Sequence, residues 1–156
     1  MRILVVEDNP GDVRLIREAF RETGRHADFQ VAEDGAQALL LLRREPPYGG
    51  APRPNLILLD LNLPRVDGAQ VLAAIKSDDE LRSIPVVVLS SSRSAEDIRN
   101  SYNGHANCYI SKPLMFGDFV EVAKGITDFW MNVATLPDRP YLPPVIKAHV
   151  EAEPKV

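Results

Sequence analysis

The feature that most constrains the fold is an alternation between short apolar runs and longer amphipathic segments. The runs are three to six residues long and rich in Val, Ile and Leu, a composition that favours strands. Most carry few polar residues, as expected for strands that are buried on both faces of a sheet. The predicted strands cover residues 3–6, 29–32, 56–59, 84–89 and 108–110.

The amphipathic segments between these runs begin with residues that commonly cap helices. Asn9 or Asp12 caps the first predicted helix, with Pro10 tolerated in its first turn, and Asp67 caps the third. Five strands that alternate with five helices predict an α/β fold, a parallel sheet with helices on both faces. The predicted helices run from residue 9 or 12 to 23, and over 35–44, 68–76, 95–102 and 115–133.

The end of the chain differs from the rest in composition. Five prolines fall within residues 134–156, which predicts a Pro-rich tail that packs little or is disordered, after a single domain at residues 1–133. The net charge of −4 and the absence of a basic stripe argue against nucleic acid as a partner. We find no apolar run of membrane-spanning length and no signal peptide, and one cysteine suits a reducing compartment. We therefore expect a cytoplasmic protein without a membrane partner.

Polar residues follow the predicted strands at their carboxyl ends. Glu7 and Asp8 follow the first strand, Asp60 the third, Ser90 the fourth and Lys112 the fifth. Parallel sheets of this class bind their ligands outside the carboxyl ends of the strands, where the strand order switches. The sequence therefore predicts one site at this edge, and it explains why a carboxylate follows the apolar run LILL.

The predicted cluster lacks positive charge. Three carboxylates and one lysine leave a deficit of two charges, which a divalent cation would neutralise, and Mg²⁺ prefers hard oxygen ligands. The carboxylates of Glu7, Asp8 and Asp60 and the backbone carbonyl of Asn62 are the predicted ligands. Asp60 is also the predicted nucleophile toward phosphorus, giving an acyl phosphate, with charge neutralised by the metal and Lys112. The Ser90 hydroxyl is predicted to hydrogen-bond a phosphate oxygen.

The set of motifs resembles the receiver domain of two-component response regulators over residues 2–131. This resemblance implies a flavodoxin-like sheet of order 2-1-3-4-5, with Asp60 as phosphoacceptor and Mg²⁺ as cofactor. It implies that Ser90 and Tyr109 form a conformational switch and that a cis peptide bond precedes Pro113. The motifs are VED at 6–8, LDLNLP at 59–64, DG at 67–68, LSS at 89–91 and YISKP at 109–113.

Further motifs lie outside this common set: NPGDVRLIREAF at 9–20, the loop at 46–55, IPVVVLS at 84–90, NCYI at 107–110, FW at 129–130 and ATLP at 134–137. Together they resemble the single-domain regulators that partner phytochrome-type histidine kinases. The resemblance implies a signalling phosphoacceptor rather than an enzyme, with a sensor histidine kinase as partner. It also implies a homodimer through the face formed by the fourth helix, fifth strand and fifth helix.

The fifth predicted helix carries more apolar surface than one sheet needs to cover. We predict that Phe119, Val122, Phe129 and Trp130 contribute to the dimer interface, with coverage by the tail as the alternative. For the function, the alternative is a Mg²⁺-dependent phosphohydrolase of the haloacid dehalogenase type, which also uses an aspartate nucleophile. Asn62 and the position of Asp60 in the third strand disfavour it. A nucleotide-binding module is disfavoured because no glycine-rich phosphate loop follows the first strand.

Overall fold

Five strands and five helices alternate along the chain in the computed structural model, which describes residues 1–137. Beyond Thr127 the fifth helix continues as a π-helical segment over Asp128–Val133. In chain order the elements are β1 (Arg2–Val6), α1 (Pro10–Glu22), β2 (Asp28–Ala32), α2 (Gly35–Arg43), β3 (Leu56–Leu59), α3 (Gly68–Ser77), β4 (Val86–Ser90), α4 (Ala95–Asn103), β5 (Cys108–Ser111) and α5 (Phe116–Thr127).

All five strands form one parallel sheet in the order β2-β1-β3-β4-β5, so the predicted fold class and strand order are confirmed. The strand order switches between β1 and β3: β2 is added on one side of β1, and β3, β4 and β5 follow on the other side. Val6 pairs with Leu59, and Leu59 pairs with Val88, so the carboxyl ends of these strands share one edge. That edge is the switch point where sheets of this class bind ligands.

The core has two layers because successive residues of each strand point to opposite faces of the sheet. Ile57 and Leu59 pack toward α2 and α3, whereas Leu56 and Leu58 pack toward α1 and α5. The four residues of β3 are at most 1% exposed, as expected for a central strand buried on both faces. This rigid strand is what carries Asp60 to the edge of the sheet.

Helix caps resolve one alternative that the sequence leaves open. Asn9 caps α1, because its side-chain oxygen accepts hydrogen bonds from the backbone amides of Gly11 and Asp12 at 2.8 and 3.3 Å. The predicted cap of α3 is confirmed: the Asp67 carboxylate accepts from the amide of Gln70, and the Gln70 side-chain oxygen accepts from the amide of Asp67. Asp12 is therefore free of the capping role, and its carboxylate contributes to the site described below.

Strand β4 and helix α5 differ from the predictions, since the α-helical part of α5 spans Phe116–Thr127 rather than 115–133. Strand β4 begins at Val86 rather than at residue 84, and Ser90 is its last residue. Pro85, just before it, has no amide hydrogen to donate to a sheet ladder.

The one cis peptide bond within residues 1–137 joins Pro46 and Pro47, so the cis bond expected before Pro113 is absent.

Phe119 does not belong to the surface on which the sequence places it. Its side chain is 5% exposed and packs in the layer between the sheet, α1 and α5. Helix α5 packs against α1 as well as against the sheet. It therefore buries a wider apolar face than a helix that packs on a sheet alone. The prediction that Phe119 is an interface residue is wrong.

The first residues of the predicted tail pack against the domain. Leu136 is 2% exposed and lies beside Ile84 and Pro85, so the expectation of a loosely packed tail fails at this position. The rest of the predicted tail, residues 138–156, lies outside the described residues, including any part of it that would cover α5. Within residues 1–137, no helix has the length and apolar character needed to cross a membrane.

Candidate functional site

Two carboxylates emerge side by side at the switch point. Glu7 directly follows β1 and Asp60 directly follows β3, and the Asp60 amide donates to the Val6 carbonyl at 3.0 Å. Glu7 is 3% exposed and Asp60 is 5% exposed. Two neighbouring buried carboxylates destabilise the fold unless a cation offsets their charge, and the fold supplies one.

Lys112 is that cation, and it occupies the centre of the cluster. Its Nζ donates to Glu7 Oε2 at 2.6 Å, to Asp60 Oδ2 at 2.7 Å and to Asp12 Oδ2 at 2.8 Å. The side chain is 8% exposed, and these three bonds use all the protons of the ammonium group. The predicted association of Lys112 with the acidic cluster therefore has a direct geometric basis.

Asp12 also belongs to the site, a role that was not predicted from the sequence. It lies in the first turn of α1, and its side chain is 27% exposed where it meets Lys112. In the sequence it was interpretable only as a helix cap, because its partner is 100 residues away. With Asp12 the cluster contains four carboxylates and one lysine, so its deficit of positive charge exceeds the predicted one.

Burial sets the protonation of the cluster. Desolvation raises the pKa of Glu7 from 4.5 to about 7, and hydrogen bonds from Lys112 and the Asn9 amide offset this only in part. Burial lowers the pKa of Lys112, but hydrogen bonds to Asp12, Asp60 and Glu7 outweigh it, and the net direction is upward. Lys112 thus stays charged at neutral pH, and Glu7 is the member that most readily takes a proton.

The predicted metal ligands lie close together, and one of them is exposed to solvent. One carboxylate oxygen from each of Glu7, Asp8 and Asp60 lies within 4.8 Å of the others, and Asp8 is exposed. The amide of Asn62 donates to Asp60 Oδ1 at 3.2 Å, which fixes the loop that carries the predicted carbonyl ligand. A set of hard oxygen donors that includes an exposed carboxylate fits a divalent cation that keeps several waters.

The two predicted switch residues meet through a third residue. Ser90 is fully buried, and its Oγ accepts from the amide of Ser92 at 3.3 Å. The ring of Tyr109 is partly buried, and its hydroxyl donates to the carbonyl of Ser92 at 2.7 Å. Ser90 and Tyr109 lie on adjacent strands, where Val88 is the register partner of Tyr109.

Gly68 allows the start of α3 to approach the site. A Cβ atom at this position would lie 2.1 Å from the Asp60 carbonyl oxygen and 2.5 Å from Leu61 Cα. The Gly68 amide donates to the Leu61 carbonyl at 2.9 Å, so this close approach is held in place. The motif DG at 67–68 therefore sets the position of the backbone that carries Asp60.

The raised pKa of Glu7 predicts a pH-dependent stability for the metal-free protein. Between about pH 4.5 and 7 the folded protein retains a proton on Glu7 that the unfolded chain releases. The contribution of this group is complete below the unfolded pKa and is lost as the pH rises through the folded one. In urea titrations with EDTA, the free energy of unfolding of the wild type should fall relative to Glu7→Gln across this window. A constant difference between the two proteins would contradict the prediction.

Comparison with known proteins agrees with this geometry. The profile of the response regulator receiver domain matches residues 3–124. This match covers most of the chain, and the protein belongs to the response regulator receiver family. Membership decides against the haloacid dehalogenase alternative. The family is a class of signalling phosphoacceptors that bind a divalent metal at the acidic pocket.

Similar proteins include regulators of phytochrome systems. Response regulator Rcp1 of Synechocystis is 43% identical over 135 residues, which are 86% of this chain and 92% of Rcp1. The structure of its Mn²⁺-bound form has a TM-score of 0.81 and covers 87% of this chain and 98% of that one. The phosphorylated cyanobacterial phytochrome response regulator RcpA is 49% identical, with a TM-score of 0.83 over 87% of this chain and 97% of its own.

A relative from a different regulatory system has a similar sequence identity. The probable methanogenesis regulatory protein FilR2 of Methanothrix harundinacea is 43% identical over 130 residues, 83% of each chain. Overall identity therefore does not distinguish the signalling system in which this protein works.

Proposed function

We propose that this protein is a single-domain response regulator that accepts a phosphoryl group on Asp60 and signals through protein contacts. The observation that carries the proposal is the cluster in which Lys112 joins Asp60 to Glu7 at 2.7 and 2.6 Å. The carboxylate is held at the end of a rigid strand, beside the one cation of the cluster. That is the arrangement expected of an aspartate that receives a charged group.

The transfer itself needs only one bond exchange. A carboxylate oxygen of Asp60 attacks phosphorus, a P–O bond forms, and the P–N bond of a phosphohistidine breaks. The electron pair of that bond stays on the leaving imidazole, which takes a proton from water. Lys112 must release at least one of its three carboxylates to contact the incoming phosphoryl oxygens, because its three protons are already engaged.

Mg²⁺ is the metal we propose for the acidic pocket. Glu7, Asp8 and Asp60 would hold it with their carboxylates, and Asn62 would contribute its carbonyl. The bound ion would neutralise charge on the transferring group. The hard oxygen donors favour Mg²⁺ or Mn²⁺ over softer metals.

A sensor histidine kinase of the phytochrome type is the proposed donor, in the cytoplasm. The identities to RcpA and Rcp1 support it, and the similar identity to FilR2 makes a direct test necessary. Phosphotransfer should be profiled against the host's histidine kinases with Mg²⁺ present. Transfer that is fastest from a kinase of another class would contradict the phytochrome assignment while leaving the receiver role intact.

The same preparation separates a phosphoacceptor from an enzyme. We expect Mg²⁺-dependent labelling by a small phosphodonor and no turnover of p-nitrophenyl phosphate. Steady release of p-nitrophenol that requires Asp60 would instead indicate a phosphohydrolase.

The proposed switch uses Ser90 and Tyr109. A phosphoryl group on Asp60 brings strong acceptor oxygens, which would draw the buried Ser90 hydroxyl toward them. Tyr109 would then move further inward from its partly buried position. Ser90→Ala should weaken this movement while leaving Asp60 able to accept the group.

We also propose a homodimer through α4, β5 and α5. An apolar groove of about 420 Å³ lies between the edge strand β5 and α5 with its π-helical continuation. The Phe129 side chain is 49% exposed and meets Trp130 edge to face, with ring centroids 4.8 Å apart. Exposed aromatic side chains next to an unpaired strand edge are typical of interfaces. Val122, Phe129 and Trp130 line the groove, and Phe119 does not.

A substitution at Phe129 tests the dimer. Phe129→Asp places a charge in the apolar groove and should raise the dissociation constant at least tenfold in sedimentation experiments. Leu40→Asp is the matched control, because Leu40 is 36% exposed on α2 and does not line the groove. The dimer is contradicted if the wild type sediments as a monomer at high micromolar concentration, with and without phosphorylation.

A further inference from the structure

Helix α4 is held in place differently from the other four helices. Each of the others buries three apolar side chains against the sheet, whereas the only buried residue of α4 is Ser101. A cavity of about 350 Å³ separates α4 from α3 and the loop that follows Asp60. With no fully buried apolar residue, the position of α4 depends largely on polar contacts, and such elements move at low energetic cost.

Those polar contacts converge on Ser92, in the loop between β4 and α4. The Ser92 hydroxyl donates to the Asp97 carboxylate and accepts from the Ser94 amide at 3.3 Å. Ser94 caps the helix by accepting from the Asp97 amide at 3.3 Å. The Ser101 hydroxyl donates to the Asp97 carbonyl at 2.8 Å. The Ser92 hydroxyl is thus tied to the start of α4 through both Asp97 and the capping residue Ser94.

The main chain of Ser92 carries the contacts to the two switch residues. Its amide donates to Ser90 Oγ and its carbonyl accepts from the Tyr109 hydroxyl, as described above. If Ser90 moves toward Asp60, either its hydrogen bond from the Ser92 amide breaks or Ser92 moves with it. Any shift of Ser92 then reaches Tyr109 through the carbonyl and α4 through the hydroxyl.

We propose that Ser92 is the positioning residue that divides the signal from Asp60 into two separable branches. This rests on the proposed function, since it extends the Ser90 switch to a second element. One branch is the Tyr109 ring, and the other is the first turn of α4. The far end of α4 stays anchored, because the Tyr102 hydroxyl accepts from the Tyr109 amide at 3.1 Å. The displacement is therefore concentrated at the start of the helix.

The two branches use different atoms of Ser92, which makes a clean test possible. Ser92→Ala removes the hydroxyl and leaves the amide and carbonyl, so only the α4 branch is cut. Ser92→Thr keeps a hydroxyl and should behave as the wild type. Ser91→Ala is the matched control, because Ser91 is exposed.

The experiment combines three readouts on each protein. Intact mass reports phosphorylation, NMR shifts report the Tyr109 ring, and amide hydrogen exchange reports the first turn of α4. For Ser92→Ala we expect unchanged phosphorylation and an unchanged Tyr109 response, with the phosphorylation-induced change at the amides of Ser94 and Asp97, which donate to the hydroxyls of Ser92 and Ser94, reduced at least threefold. Before phosphorylation, exchange at these amides should already be at least threefold faster than in the wild type.

Two results would overturn the proposal. One is a full α4 response in phosphorylated Ser92→Ala, and the other is unchanged exchange at α4 in the unphosphorylated variant. The second does not depend on phosphorylation. If the wild type takes up no phosphoryl group, the proposed function fails, and the exchange measurement still decides the role of Ser92 as the anchor of α4.

Discussion

Replacing Lys112 by Met should destabilise the metal-free protein by about 3 kcal/mol and slow phosphoryl uptake by about 100-fold. Lys112 is 8% exposed and is hydrogen-bonded to Glu7, Asp12 and Asp60. Its removal leaves buried carboxylates without their cation, and the transferring group loses a donor. Mg²⁺ should restore more stability to this variant than to the wild type, because the ion then compensates a larger charge deficit.

Lys124→Met is the matched control for this prediction. Lys124 also pairs with a carboxylate, Glu121, at 2.9 Å, but its side chain is 51% exposed. An exposed pair of this kind contributes about 0.5 kcal/mol or less. Urea titrations with EDTA and single-turnover labelling would measure both effects. If Lys112→Met and Lys124→Met behave alike, Lys112 is a solvated surface lysine and the description of the cluster is wrong.

Gly68→Ala should destabilise the fold by about 3 kcal/mol and reduce labelling of Asp60. The added methyl group would lie 2.1 Å from the Asp60 carbonyl oxygen, so either α3 or the end of β3 must move. A backbone shift at Asp60 changes the distances from its carboxylate to Lys112 and to Glu7. Loss of stability and loss of phosphoryl uptake are therefore expected together.

Gly117→Ala separates this effect from a general effect of glycine substitution. Gly117 lies in α5, and a Cβ atom there would meet nothing within 4 Å. Alanine is favoured over glycine in a helix by up to about 1 kcal/mol, so this variant should be as stable as the wild type or more so. If Gly68→Ala were equally harmless, α3 would not be as close to Asp60 as the structure places it.

Much of the fold was predictable because apolar periodicity directly reports burial. The central strand β3 has the predicted bounds, and the carboxyl ends of β1 and β3 bring Glu7 and Asp60 together as expected. The bounds of β4 were less predictable, because Ile84 is buried without belonging to a strand. Apolar character records burial and does not by itself record hydrogen bonding.

The site was predictable where a residue follows a strand and obscure elsewhere. Asp12 was missed because its role depends on a side chain 100 residues away. The contacts of Ser92 were not predicted, because those to Ser90 and Tyr109 use its backbone and those to Asp97 and Ser94 depend on a loop conformation that has no signature in the sequence. The error at Phe119 has a related cause, since helical periodicity gives the apolar face but not the number of elements packed against it.

The identity of the phosphoacceptor is tested most directly by locating the phosphoryl group. After reaction with a small phosphodonor and Mg²⁺, reduction with borohydride converts an aspartyl phosphate to homoserine, which peptide mass spectrometry then maps. We expect a single modified position, Asp60, in the wild type and none in Asp60→Asn. Modification that persists in Asp60→Asn, or that maps to another residue in the wild type, would contradict the central claim.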